Sequence, residues 1–115
     1  MKKFIRKFGG ILLINHLYQY LGLAKRAHYL FVGEELISKA SKNKISLIII
    51  AEDASTRFVS ELQQNLHNNP RIIKYKTKRE LGSLIEREEV NAIGISNCNM
   101  AKAIYDTIQK GDANE

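Results

Sequence analysis

Three histidines, one cysteine and scattered carboxylates are the side chains of this 115-residue chain best suited to catalysis or metal binding. His16, His28 and His67 share no metal-ligand spacing with one another or with Cys98. Cys98 stands where a strand runs into a helix, a place from which a thiolate can attack. No histidine is identifiable as its partner, and a small semi-buried residue accounts for it better. Glu52 and Asp53 follow an apolar run, on the side of a parallel sheet where ligands gather. The pair could hold a magnesium ion, but turn formation and helix capping explain Asp53 and Ser55 more simply. Val32-Gly33 is a lone glycine step, not a phosphate loop. The residues therefore point to a binding protein and not an enzyme, with no metal, no cofactor and no small-molecule substrate.

The charge pattern says what would be bound. The chain carries a net charge of +6. Residues 1–44 hold nine Lys/Arg against two Asp/Glu, a net of +7, whereas residues 45–115 hold nine against ten, a net of −1. A basic half joined to a near-neutral half is the footprint of a polyanion binder. A helix beginning at Gly33 would offer exposed amides to a phosphate. Lys25, Arg26, Lys39, Lys42 and Lys44 could surround it.

The elements that must position these residues follow from periodicity and caps. Leu17, Leu21 and Ala24, with Tyr20, form one face of a helix that Asn15 can cap. Leu30-Phe31-Val32 reads as a strand entering a turn at Gly33. Glu34 and Glu35 then occupy the first turn of a helix with Leu36, Ile37 and Ala40 inward, and lysines crowd its far end, as the dipole favours. Ile45 to Ala51 is nearly all apolar and β-rich, a central strand covered on both faces. Ser55 caps a helix with the stripe Phe58, Val59, Leu62 and Leu66, ended by Asn68-Asn69-Pro70. Ile72 to Tyr75 is a strand, and Thr77 with Glu80 makes a capping box for a helix bearing Leu81, Leu84 and Ile85. Ala92 to Ile95 is the last strand. Asn97 caps a final helix with Ala101, Ile104 and Ile108 inward, and Gly111 ends it. The alternation predicts an α/β fold: a three-layer α/β/α sandwich around a mostly parallel four-stranded sheet.

Length and composition fit one domain over residues 15–110, and no apolar run is long enough to span a membrane. Met1 to Ile14 carries Lys2, Lys3, Arg6 and Lys7 before a short apolar stretch. Gly9 and Gly10 interrupt that stretch, and it has no clear cleavage site, so it reads as a basic extension and not a signal peptide. The single cysteine fits a reducing cytoplasm.

Four blocks, in order and suitably spaced, carry a family resemblance. They are Leu21-Gly22-Leu23-Ala24-Lys25-Arg26-Ala27, Val32-Gly33-Glu34-Glu35-Leu36, Leu47 through Ser55, and Lys78-Arg79-Glu80-Leu81-Gly82. Together they resemble the bacterial YlxQ-type branch of the ribosomal L-seven-Ae / L-thirty-e superfamily, over about Leu17 to Ile108. The resemblance implies an α/β/α sandwich that binds structured RNA, either rRNA on the ribosome or a kink-turn, a bent helix built around tandem sheared G·A pairs. It implies that Gly33, Glu34, Glu35 and Leu36 enter the distorted groove and that Lys39 meets phosphate. The loop from Glu86 to Val90, with Arg87, would cover a flipped-out nucleotide. The chain departs from the strong binders at two places. They carry Asn or Lys followed by Glu or Gln where it has Glu35 and Leu36. Its loop holds Glu86, Glu88 and Glu89, leaving Val90 as the main apolar contact. The alternative reading is a ribosome-associated structural protein with nonspecific rRNA and protein contacts.

Because the core stripe begins at Leu17, deleting Met1 to Ile14 should leave the thermal transition nearly unchanged. A large drop in melting temperature would show that these residues carry structure.

Overall fold

The computed structural model describes residues 16–110. Along the chain run α1 (His16–Arg26), β1 (Leu30–Phe31), α2 (Gly33–Ser41), β2 (Leu47–Ile50) and α3 (Thr56–Gln64). Then come β3 (Arg71–Lys74), α4 (Lys78–Leu84), β4 (Ala92–Ile95) and α5 (Cys98–Gln109). The order is the one the periodicity predicts. The basic extension, the Asn15 cap and the Gly111 stop fall outside the described residues.

β2 sets the layering. Its alternate side chains leave opposite faces of the sheet. Leu47 and Ile49 pack with Leu17, Leu21 and Ala24 of α1, Leu81 of α4 and Ile104 of α5. Ile48 and Ile50 pack with Leu36, Ile37 and Ala40 of α2 and Leu62 of α3. Helices thus cover both faces, and every β2 residue is buried. Each such Leu or Ile contributes about 1.5–3 kcal/mol of burial.

The strand directions differ from the expectation. The sheet order is β1-β4-β2-β3. Only β2 and β3 pair parallel; β4 lies between β1 and β2 and runs antiparallel to both. The four-stranded α/β sheet is therefore mostly antiparallel, not mostly parallel. The cause lies between α4 and β4. A parallel β4 would require the chain to travel back along the sheet before re-entering it. Instead it folds back on α4: Arg87 N–H donates to the Gly82 carbonyl at 2.8 Å, and Val90 N–H to the Lys78 carbonyl at 3.1 Å. Lys78 is the first residue of the helix, so the chain regains the end of the sheet where β3 finished. Gly82 permits this. A Cβ there would stand 2.7 Å from Glu89 Cα and 2.8 Å from the Arg87 carbonyl oxygen.

A second glycine seats α2. β4 presents Ile93 and Ile95 to the α1, α4 and α5 side, and the small Ala92 to α2 and α3. A Cβ on Gly94 would collide with Leu36 Cδ1. Leu36 therefore packs straight onto backbone, and α2 lies close to the sheet. β3, expected over Ile72 to Tyr75 and observed over Arg71–Lys74, is an open edge, with Arg71 and Lys74 at its ends and Ile72 42% exposed.

Gly82→Val should force the 87–89 segment off α4. The overpacking should cost about 1–3 kcal/mol, against a helix-propensity gain of only a few tenths. Thermal denaturation checks this; an unchanged or raised melting temperature would contradict the fold-back.

Candidate nucleic-acid interface

The antiparallel pairing of β1 with β4 decides which loops meet. Leu30 lies opposite Ile95 and Phe31 opposite Gly94. The chain leaving β1 toward Gly33 therefore emerges at the end of the sheet where the loop from Glu86 to Asn91 enters β4. β2 and β3 finish there too. Ala51 N–H donates to the Asn91 carbonyl at 2.9 Å, and Glu52 N–H to the Lys76 carbonyl at 2.7 Å. Asp53 Oδ1 accepts from the Lys78 amide at 2.7 Å, and Asn91 Oδ1 from the Ser55 amide at 2.8 Å. These bonds give Asp53 a structural duty.

At this end the start of α2 is open. Ser55, Thr77 and Asn97 accept backbone amides at the heads of α3, α4 and α5. Val32, at the head of α2, has no side-chain acceptor to offer. Gly33 has φ +62°, a left-handed conformation that other residues adopt at a cost of roughly 1–2 kcal/mol. Nothing lies within 4 Å of a Cβ built there. The glycine is thus required by the backbone, not by crowding, and it leaves the amides approachable from outside.

The α4–β4 loop is fastened. Lys25 Nζ donates to the Ile85 carbonyl at 2.8 Å and lies 3.9 Å from Glu86 Oε1. The Tyr18 hydroxyl donates to Glu86 Oε2 at 3.4 Å, and burial together with that carboxylate raises its pKa. Lys78 pairs with Glu89 at 3.5 Å. At the head of α4 the capping box forms as expected, and hydrogen bonds from Thr77 hold the Glu80 carboxyl below its ordinary range.

The structure brings some of the anticipated residues together and separates others. Gly33, Glu34, Glu35 and Arg87 share this end, and all are exposed. Leu36 and Val90 correct what the resemblance implied: at 0% and 8% exposure both belong to the core, where the helical stripe already places Leu36, and offer RNA no surface. Lys25 is committed to the loop, with Arg26 exposed beside it. Lys39 is half-buried, its Nζ 5.2 Å from the centroid of the Phe31 ring. Lys42 and Lys44 do not surround Gly33. They follow the last residue of α2, about 13 Å along its axis, at the opposite end of the sheet. Charges of both signs lie at this end: Glu34, Glu35, Glu52, Asp53, Glu80, Glu86, Glu88 and Glu89, set against Lys25, Lys74, Lys76, Lys78, Arg79 and Arg87.

Sequence reasoning missed Gly82, Tyr18 and Arg71. A glycine within a helical pattern was the available signal for the first. Tyr18 and Arg71 gain their surroundings only through contacts distant in sequence. Cys98 is exposed, not semi-buried as expected. Among the described residues no group of three or more His, Cys, Asp or Glu could hold a metal ion, and no helix is long and apolar enough to cross a membrane.

No family model matches the sequence, and no curated protein sequence matches it. Solved structures share the fold. A protein of unknown function from Bacillus halodurans superimposes with a TM-score of 0.68 at 20% identity, covering 84% of this chain and 99% of its own. A 15.5kD RNA binding protein from Giardia lamblia gives a TM-score of 0.64 at 17% identity, over 84% and 86%. At these identities the likeness is one of fold.

Proposed function

We propose that this chain is a non-catalytic RNA-binding protein that recognises kink-turn-like structured RNA. The observation that carries the reading is the antiparallel β1–β4 register, which sets the open head of α2 beside the fastened α4–β4 loop. Amides without a side-chain cap suit phosphate or base edges, and a neighbouring loop tied back to α1 and α4 suits a splayed nucleotide. The Giardia protein, named as RNA-binding, shares the fold and supports the reading. On this view Gly33 and the amides after it make the close approach, Glu34, Glu35 and Arg87 flank it, and Lys39 meets phosphate further along. The protein would work in the cytoplasm, free of membranes, on rRNA or another structured RNA.

The carboxylates at this end give the second reading its support. Nonspecific binding to RNA rests on cations, which this end lacks in excess. A ribosome-associated structural protein would use other surfaces and show no preference for a kink-turn.

Gel shifts comparing a kink-turn, its G·A-disrupted mutant and a straight duplex separate the two. The first reading expects tightest binding to the kink-turn at equal salt; equal affinity for all three would favour the second. Gly33→Asn refines the test, because Asn tolerates the left-handed conformation while adding a side chain. It should stay folded by circular dichroism and lose the preference for the kink-turn. Retained preference would place the recognition site elsewhere.

A further inference from the structure

The end of the sheet opposite Gly33 carries a feature the reading above leaves unused. Between the start of β3 and the first turns of α5 runs a groove of about 410 Å³, lined by Ser46, Arg71, Cys98, Lys102, Tyr105 and Asp106, with Leu47 and Ala101 at its floor. That volume falls within the range of roughly 300–1,000 Å³ usual for small-ligand sites. The Arg71 guanidinium lies 4.2 Å from the centroid of the Tyr105 ring. Among the described residues no carboxylate pairs with Arg71; its planar cation is spread over an aromatic face with its donors open to solvent. Lys102 is 79% exposed at its side chain and only loosely paired with Asp106, at 3.6 Å. Lys42 and Lys44, in the turn leading to Ser46, add cations to the same end.

We propose that this groove binds an unpaired segment of RNA, one base stacking on the Arg71–Tyr105 pair and the adjoining phosphates meeting Lys102 and Lys44. The inference rests on the RNA-binding reading and adds to it. A base needs a flat polarizable platform and a backbone needs nearby cations; single-strand binders combine the two. The groove supplies both within one cleft, whereas Lys25 and Lys78 at the Gly33 end are paired with carboxylates. The two ends then divide the work. One reads the shape of a bent helix, and the other holds a flanking strand and supplies the electrostatic attraction.

Cys98 makes this testable, because it is the chain's one cysteine, is exposed and lines the groove. The probe is a decamer of oligouridylate added to the full-length protein, with Cys98 alkylation timed and binding followed by fluorescence anisotropy at several salt concentrations. The oligonucleotide should bind and slow alkylation. Arg71→Ala should weaken it on the order of tenfold through the lost stacking platform. Arg71→Lys, which keeps the charge but not the plane, should recover only part of that loss. Lys102→Ala should lower the salt slope by about 0.7. Preference for a kink-turn over its disrupted mutant should survive in all three variants. The proposal is overturned if wild-type protein binds a kink-turn but leaves Cys98 unprotected by the decamer. It is likewise overturned if Arg71→Ala binds the decamer as wild type does, or if polyglutamate protects Cys98 equally well. If wild-type protein binds no RNA of any kind, the underlying reading fails with it.

Discussion

The hydrogen bond from Val90 N–H to the carbonyl of Lys78 returns the chain to the head of the helix it has just completed. Much of the architecture follows from that reversal. It starts β4 at the end where β3 stopped, makes β4 antiparallel to its neighbours, and slots it between β1 and β2. It also puts the α4–β4 loop beside the head of α2. The reversal depends on Gly82, since a side chain there would occupy the space of the Glu89 backbone. Gly94 then completes the arrangement. Its bare backbone accepts Leu36, draws α2 onto the sheet and fixes where Gly33 emerges.

Charge is distributed by these same contacts and not by position along the sequence. Among the described residues the basic side chains of the first half do not gather on one face, because α2 carries Lys42 and Lys44 away from Gly33. Lys25 is drawn inward to the Ile85 carbonyl and Glu86. The head of α2 is left among charges of both signs, while Arg71 and Lys102 gather with Lys44 at the opposite end. A face that recognises a distorted helix through amides and a neighbouring loop would discriminate by shape, which needs little net charge. On the proposed reading, affinity, which draws on phosphate neutralisation, would have its seat on the other end.

Most of the elements were legible in the sequence. The stripe Leu17, Leu21, Ala24, the capping box of Thr77 and Glu80, and the Ser55 and Asn97 caps are local signals, and local bonding decides them. Strand direction was not legible. An all-apolar β2 looks the same whether its neighbours run with it or against it, once helices cover both faces. The direction of β4 was set by a loop folding onto Gly82, a contact between backbone atoms that no side-chain pattern announces. The candidate site was legible in part. Gly33 stood out through its turn, and its left-handed φ fits that reading. The helical stripe placed Leu36 inward and the resemblance placed it in the RNA groove; its burial against Gly94 bears out the stripe. Val90 fell to the core likewise, drawn in by the fold-back.

The claim that matters most is that the head of α2 and the α4–β4 loop act as one RNA-binding face. Amide chemical shifts of the isotopically labelled protein, followed as a kink-turn RNA is titrated in, test it most directly. Residues 33–35 and 87–89 should shift together, with a common midpoint. Shifts confined to other surfaces, with both segments unmoved at saturation, would contradict it.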